Sequence, residues 1–184
     1  MSANSTAVAA IVISIAILPS PASTAEPDLL QVIPKLLAEN HDLEDPGFSA
    51  KLRKGGWVVS YCPDETCDVI RAPRGVSREV MGDFALLWLY YASGYVYLKR
   101  FVEIDAPPYA RAVLQRRSGS CPQERELTLA SCVLSTLARD NKLRPSFRRS
   151  DEGATVETPR TINESLSEAR IREVRAWQTN EWRK

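Results

Sequence analysis

The chain has 184 residues, with 24 lysines and arginines against 23 aspartates and glutamates and a hydrophobic content of 44%. This charge balance excludes a protein that an overall electrostatic field would draw to nucleic acid or to a membrane surface. The hydrophobic content is ordinary for a globular domain and no unit repeats at a fixed period, which excludes a disordered chain or a repeat protein.

The first 25 residues have the layout of a secretory signal peptide. An apolar run from Ala7 to Leu18 is followed by two prolines and then by small residues up to Ala25, which is typical of a cleavable signal. The run is shorter than the roughly 20 residues that cross a bilayer, so no stable membrane span is expected. Only the terminal amine supplies the positive charge that usually opens such a signal. We therefore expect a periplasmic or extracellular protein whose mature chain begins at Glu26.

The mature part begins with a helical pattern and then a loop. Leucines between residues 29 and 37 fall on one helical face that Pro34 interrupts or kinks, and the loop covers residues 41–50. After it, GWVVSY and DVIRA are rich in Val, Ile and aromatic residues and flank the turn-forming sequence PDET. These segments predict a β-hairpin with Cys62 and Cys67 at its strand ends.

The four cysteines are expected to form two disulfides. An even number of cysteines is typical of disulfides in an oxidising compartment. If Cys62 pairs with Cys67 across the hairpin tip, elimination pairs Cys121 with Cys132, provided that the chain before Cys132 folds back. A two-cysteine redox site normally has two intervening residues at the start of a helix, and a zinc site needs four ligands at close spacing, so neither alternative is favoured.

The middle of the chain contains most of the predicted core. Ser77 can cap a helix whose apolar run through Ala92 should be buried, with its aromatic residues in the core or in a partner groove. The patterns then predict a strand over 95–104, with a helix as the alternative there, followed by a helix over 107–119, an amphipathic helix over 123–141 and a strand over 142–150. Together the elements predict one α+β domain over residues 26–157, with a β-hairpin and about four to six helices.

The C-terminal residues 158–184 are expected to form a linker and an amphipathic helix. The polar sequence ATVETPRT precedes Ser165-Leu-Ser-Glu168, which has the pattern of a capping box. Such a helix either docks on the domain or binds another protein through its apolar face. The residues predicted to bind a partner are Trp177, Arg170, Arg172 and Arg175.

No catalytic, cofactor or metal site is predicted. The single histidine, His41, has no identifiable nucleophile, and the usual hydrolase, zinc-protease and phosphate-loop motifs do not occur. The basic segment 142–149 would suit an anionic partner, but nucleic acid is not expected for an exported protein. Carboxylates that could serve a hydrolase are too numerous to choose among: Asp42, Glu44, Asp45, Glu103, Asp105, Asp151 and Glu152.

The sequence therefore favours an exported, non-catalytic protein that binds another envelope or secreted protein or a ligand. Accessory, inhibitor and immunity-type proteins belong to this class, since they need a rigid scaffold and exposed loops. One alternative is a carboxylate-dependent envelope hydrolase, which would hold two acids in a cleft. The other is a structural envelope protein, which would expose a large apolar patch.

The expected cleavage site gives a direct prediction. Material recovered after export should have the intact mass of a chain that begins at Glu26, because the apolar run is short and is followed by prolines and small residues. Recovery of a chain that keeps residues 11–18 in a membrane fraction would show that the segment is a membrane anchor.

Overall fold

The protein has the α+β class that its sequence predicts. The structure is a computed structural model that describes residues 26–41, 47–63, 65–92, 106–123, 125–151 and 154–167. The signal segment, the predicted strand over 95–104 and the four residues predicted to bind a partner (Trp177, Arg170, Arg172 and Arg175) lie outside these ranges. Among the described residues, none of the helices combines the length and apolarity needed to cross a membrane.

The described strands form one antiparallel sheet in which each strand pairs with its neighbours in sequence order. The long connection between the third and fourth strands contains most of the helices, so these two strands pair across a large separation in sequence. The strands are β1 (Phe48–Arg53), β2 (Gly56–Tyr61), β3 (Thr66–Ala72), β4 (Arg144–Asp151) and β5 (Ala154–Pro159).

The helices agree with the predicted order, and local signals in the sequence mark several of their ends. Pro34 lies inside the first helix, and the Ser77 side chain accepts a hydrogen bond of 3.2 Å from the Val80 amide at the start of the second. Lys142 ends the fourth in a left-handed conformation with φ of 54°. The helices are α1 (Leu29–His41), α2 (Arg78–Leu87, continued by a π-helical turn over Trp88–Ala92), α3 (Ala106–Arg117), α4 (Glu126–Asn141) and α5 (residues 162–167).

The hydrophobic core lies between one face of the sheet and the helices, and α2 is at its centre. Met81 to Leu89 are buried without interruption, and α2 packs against α1, α3, α4 and β2. Gly82 allows α2 to approach α1 closely, since a Cβ at this position would lie 3.0 Å from the Leu29 Cβ. A helix that is apolar on most of its sides has to be enclosed, and the surrounding elements provide that enclosure.

Polar groups inside this core have partners. The indole Nε1 of Trp88 donates to Asp68 on β3 at 3.4 Å. The Trp57 Nε1 donates to the Val76 carbonyl oxygen at 2.9 Å, which ties β2 to the turn before α2. The Tyr91 hydroxyl donates to Glu126 at 2.5 Å, so the π-helical turn is joined to the start of α4. The two tryptophan bonds offset the cost of removing polar atoms from water, whereas the Tyr91 bond is exposed.

Two expectations about the segments that form the edge strands of the sheet are wrong. The segment expected to be a polar linker, 154–161, contains β5, which pairs with β4 over its whole length. The expected loop over 41–50 contains the start of β1, which pairs with β2 from Phe48 onwards. Both strands are sheet edges, where a strand needs only one partner and half of its backbone groups can bond to water.

The C-terminal helix also begins earlier than the sequence suggests. Thr161 and Glu164 form the capping box: the Glu164 amide donates to the Thr161 hydroxyl at 3.2 Å, and the Thr161 amide donates to the Glu164 carboxylate at 3.2 Å. Ser165 and Leu166, placed at the helix start by the predicted box, are buried within the helix. Leu166 belongs to the hydrophobic core, so the described part of this helix is docked.

The β1–β2 turn provides a matched test of backbone strain. Gly56 has φ of 125°, and a Cβ there would lie 2.0 Å from the Ala72 carbonyl oxygen, whereas a Cβ at Gly55 would meet nothing within 4 Å. We expect Gly56→Ala to lower the free energy of unfolding by about 2 kcal/mol or more. Gly55→Ala should change it by less than about 0.5 kcal/mol. Urea unfolding of both variants measures the difference, and equal midpoints would contradict the packing of this turn.

Candidate functional site

The two faces of the sheet have different environments. Side chains alternate along each strand, so one set faces the helices and the other set faces away from them. We call the second set the outer face, and its register follows from the strand pairing. Its described members are Ser49, Lys51, Arg53, Val58, Ser60, Cys67, Val69, Arg71, Arg144, Ser146, Arg148, Thr155, Glu157 and Pro159.

Positive charge dominates the outer face. Five of its described members are cations and one, Glu157, is an anion. Lys51 on β1, Arg71 on β3 and Arg144 on β4 lie in one cross-strand row, with Val58 of β2 between the first two. All three cations are exposed, whereas Val69 near the centre of the face is buried. The outer face therefore presents an exposed row of three cations beside the buried Val69 side chain.

Glu157 organises part of this charge. Its carboxylate accepts two hydrogen bonds from Arg71, at 3.1 Å from Nε and 2.8 Å from Nη2, and one of 2.6 Å from the Ser146 hydroxyl. These bonds to Arg71 and then to Ser146 lower the pKa of Glu157 to about 2. The stabilisation they provide is present above the ordinary carboxyl pKa and is lost as the pH falls towards the lowered value. Because both side chains are partly exposed, the pair is worth less than about 1 kcal/mol.

The hairpin tip lies at one end of the outer face. Cys62 and Cys67 are at disulfide distance, with their Cα atoms 4.2 Å apart, at the end of β2 and near the start of β3. The Arg148 guanidinium lies over this pair, since its Nη2 is 3.3 Å from the Cys67 sulfur and 3.8 Å from the Cys62 sulfur. Arg148 reaches it because β4 places this residue directly opposite Cys67. A cation thus contacts both sulfur atoms.

The second cysteine pair lies among the helices. Cys121 and Cys132 are at disulfide distance with Cα atoms 5.8 Å apart. The chain after α3 turns at Gly119, where φ is 45°, and the Cys121 amide donates to the Ser118 carbonyl oxygen at 2.7 Å. α4 begins only at Glu126, so the segment before it folds back and brings Cys121 alongside the helix. The pairing of Cys121 with Cys132 was expected only if the chain folds back in this way.

A second cluster of charges surrounds the buried carboxylate of Asp83 on α2. Asp83 is 1% exposed and accepts hydrogen bonds from Arg116 Nη2 at 2.6 Å and Arg117 Nε at 2.7 Å, both at the end of α3. Burial raises the pKa of Asp83, and the two guanidinium groups oppose that shift. Arg116 also binds Glu26 at 2.8 Å, and Arg117 binds Glu79. This network joins α2, α3 and the N-terminal segment.

An open groove of about 310 Å³ borders this network. Arg78 and Asp28 close one side with an ion pair of 2.6 Å. Because each carboxylate that lines the groove is paired with an arginine, its arrangement is that of a structural contact between helices rather than of a site prepared for a charged ligand. Its lining residues are Glu26, Pro27, Asp28, Leu29, Arg78, Glu79, Asp83 and Arg116.

Two of the residues considered for catalysis lie in the described part of the chain. His41 is the last residue of α1 rather than a loop residue, and Asp151 is the last residue of β4. The other six candidate carboxylates lie outside the described residues. Within the described ranges, no group of three or more His, Cys, Asp or Glu side chains could hold a metal ion.

Comparisons with protein-family models, with curated proteins and with solved structures found no match to this chain. The candidate site is therefore defined by its own geometry. Sequence reasoning identified the basic segment of β4 and the cysteines, but it missed Lys51, Arg71 and Glu157. Their alternation along the strands was the available signal, although the partners across the sheet follow only from the register.

The Asp83 network predicts an asymmetry between variants. Replacing both arginines (Arg116→Gln with Arg117→Gln) leaves a buried carboxylate without cations and should cost about 3 kcal/mol or more. Asp83→Asn should cost less, because the partly exposed arginines keep water, Glu26 and Glu79 as partners. Thermal or urea unfolding at neutral pH measures both.

The pH dependence of the stability of the double variant tests whether the buried Asp83 carboxylate causes the loss. Burial would still raise the pKa of Asp83 while the opposing cations are gone, so the folded state would bind a proton more readily than the unfolded state. Stability should therefore rise as the pH is lowered from 7 towards the ordinary carboxyl pKa of about 4. A double variant as stable as the native protein would contradict the role assigned to the network.

Proposed function

We propose that this chain is an exported, non-catalytic binding protein, and that its outer face contacts an acidic surface on another envelope or secreted protein. Two features support export. The N-terminal residues have the pattern of a cleavable signal, and both cysteine pairs are at disulfide distance. Disulfides persist in oxidising compartments and are rare in the cytosol.

The observation that carries the binding proposal is the row of like charges on the outer face. Arg71 and Arg144 are direct cross-strand partners, and like charges in this position destabilise a sheet. Only Arg71 has a carboxylate partner there; among the described residues, Lys51, Arg53 and Arg144 form no ion pair. An acidic partner would supply the counter-charges that the sheet itself lacks.

The geometry of the row suits carboxylates on a protein surface. Neighbouring strands are about 4.8 Å apart, so the row from β1 to β4 spans about 14 Å. Exposed guanidinium groups bind carboxylates through two parallel hydrogen bonds, which adds directional preference to charge attraction. Such rim charges mainly raise the association rate and make binding sensitive to salt.

The C-terminal amphipathic helix remains a predicted second contact. Trp177 would supply an apolar anchor, and Arg170, Arg172 and Arg175 would add positive charge beside it. The packing of Leu166 in the hydrophobic core supports a position of this contact close to the domain. Truncation after residue 167 would separate its contribution from that of the outer face.

The outer face can be tested by charge reversal. A Lys51→Glu/Arg144→Glu variant should bind immobilised polyglutamate about tenfold more weakly than the native protein and should elute at lower salt. The matched control is Lys35→Glu/Arg74→Glu, which makes the same change in net charge at exposed positions outside this face. It should elute with the native protein.

Two parallel measurements distinguish the type of partner. Heparin resin represents an anionic polysaccharide, and vesicles with about 30% anionic phospholipid represent a membrane surface. Tighter binding of the native protein to either one than to polyglutamate would overturn the proposal of a protein partner. Equal weakening by the outer-face variant and its control would show that net charge, rather than this face, determines binding.

A further inference from the structure

The contact between Arg148 and the hairpin-tip cysteines has no structural necessity. A disulfide is neutral and needs no counter-ion, yet Arg148 places Nη2 3.3 Å from the Cys67 sulfur and 3.8 Å from the Cys62 sulfur. The side chain is half-buried in this position. A guanidinium group stabilises a thiolate, which is the form that these sulfurs take when the bond is broken. The arrangement is therefore matched to the reduced state of the pair.

We propose that the Cys62–Cys67 disulfide exchanges with external thiols, and that Arg148 stabilises the thiolate of Cys67 as it leaves. The partner is a thiol or dithiol of a small molecule or of another exported protein. This function is independent of the proposed acidic partner, although Arg148 also belongs to the outer face.

Access to the two sulfur atoms determines the direction of attack. Cys62 is half-buried, whereas Cys67 is 6% exposed, and the neighbouring Pro63 and Glu65 of the tip are exposed. An incoming thiolate therefore attacks the Cys62 sulfur, forming a mixed disulfide and releasing Cys67 as a thiolate beside Arg148. A leaving thiol with a lower pKa departs faster.

The full exchange transfers two electrons. A second thiolate of the partner attacks the partner sulfur of the mixed disulfide and releases Cys62 as a thiolate. The partner then holds a new disulfide, and Cys62 and Cys67 are reduced. Because Arg148 favours the reduced pair, it makes this disulfide more oxidising.

The surrounding charges leave Arg148 available to the sulfurs. Glu157, its cross-strand partner on β5, attracts Arg148 electrostatically, but the hydrogen bonds of that carboxylate go to Arg71 and Ser146. The adjacent Arg149 points to the opposite side of β4. Glu65 lies in the exposed tip between the cysteines.

Reduction would leave the fold in place. The loop closed by Cys62 and Cys67 is short, so the chain-entropy estimate of its stabilisation is only about 2 kcal/mol. Strand pairing of β3 with β2 and β4, and the bond of 2.8 Å from the Cys62 amide to the Gly47 carbonyl oxygen, hold the tip without it. The protein can thus cycle between both states while folded.

The second disulfide provides an internal control. Cys121 is 7% exposed and belongs to the hydrophobic core, with Cys132 packed against it. Among the described residues, the arginine contacts to sulfur are those of Arg148 with the hairpin pair. Its potential should be lower than that of the hairpin pair.

The test is equilibration of the full mature chain in glutathione buffers of graded composition, followed by alkylation and peptide mass spectrometry. Cys62–Cys67 should be reduced under conditions that leave Cys121–Cys132 oxidised. Arg148→Gln should shift the equilibrium with glutathione by about tenfold towards the disulfide, which corresponds to about 30 mV. It should also slow reduction, and Arg148→Lys should restore part of both effects, since it keeps the charge.

Arg74→Gln serves as the matched control, because it removes an exposed arginine in the turn after β3. It should behave as the native protein. Two results would overturn the proposal: reduction of Cys62–Cys67 only under conditions that also reduce Cys121–Cys132, or identical equilibria for Arg148→Gln, Arg148→Lys and native protein. Thermal melts of the oxidised variants confirm that each one is folded when it is compared.

Discussion

Burial of α2 from Met81 onwards is the constraint on which the rest of the structure depends. Nine consecutive residues, Met81 to Leu89, are removed from water, so apolar surface has to face them in every direction. α1, α3, α4 and β2 supply that surface. The sheet and the helices are thus two parts of one enclosure.

The charge inside this enclosure explains a further part of the architecture. Asp83 lies within the buried run, where an isolated carboxylate would be costly. Two adjacent arginines at the end of α3 bind it, and they reach outwards to Glu26 and Glu79. The position of α3 relative to α2 is therefore set by charge pairing as well as by apolar packing.

Covering one face of an antiparallel sheet releases the other face from the demands of the core. Residues at alternate positions on β2 show the division: Trp57, Val59 and Tyr61 are buried against the helices, whereas Val58 and Ser60 face away. The outer face can then accumulate charge that would be excluded from the interior. Its cations are distributed over β1, β3 and β4, so no single segment of the chain carries the whole surface.

Local sequence signals predicted the elements whose patterns are strong. Ser77 and the apolar run after it predicted α2, and alternating Val and Ile residues marked the central strands. The edge strands were not predicted, for two reasons. β1 contributes only Phe48, Ala50 and Leu52 to the helix-facing side, and Leu52 is itself 64% exposed. β5 is polar. A polar edge strand is held by its backbone pairing, which leaves little trace in composition.

The candidate site was harder to foresee for a different reason. The basic segment of β4 was visible, but its proximity to Arg71 and to the hairpin cysteines depends on the pairing of β3 with β4. These strands are separated in sequence by all the helices from α2 to α4. Long-range register is set by the packing of the whole domain, so local periodicity does not contain it.

The sequence separations of the cysteines have a consequence for oxidative folding. Cys62 and Cys67 are 5 residues apart in the sequence, and Cys121 and Cys132 are 11 residues apart. A disulfide between a cysteine of one pair and a cysteine of the other would close a loop of about 50 residues or more. The probability of an encounter falls as the loop lengthens, so an unfolded chain entering an oxidising compartment would form these two bonds in preference to the alternatives. Correct bonding can thus precede the slow long-range pairing of β3 with β4. The chain needs little help from disulfide reshuffling to reach its final connectivity.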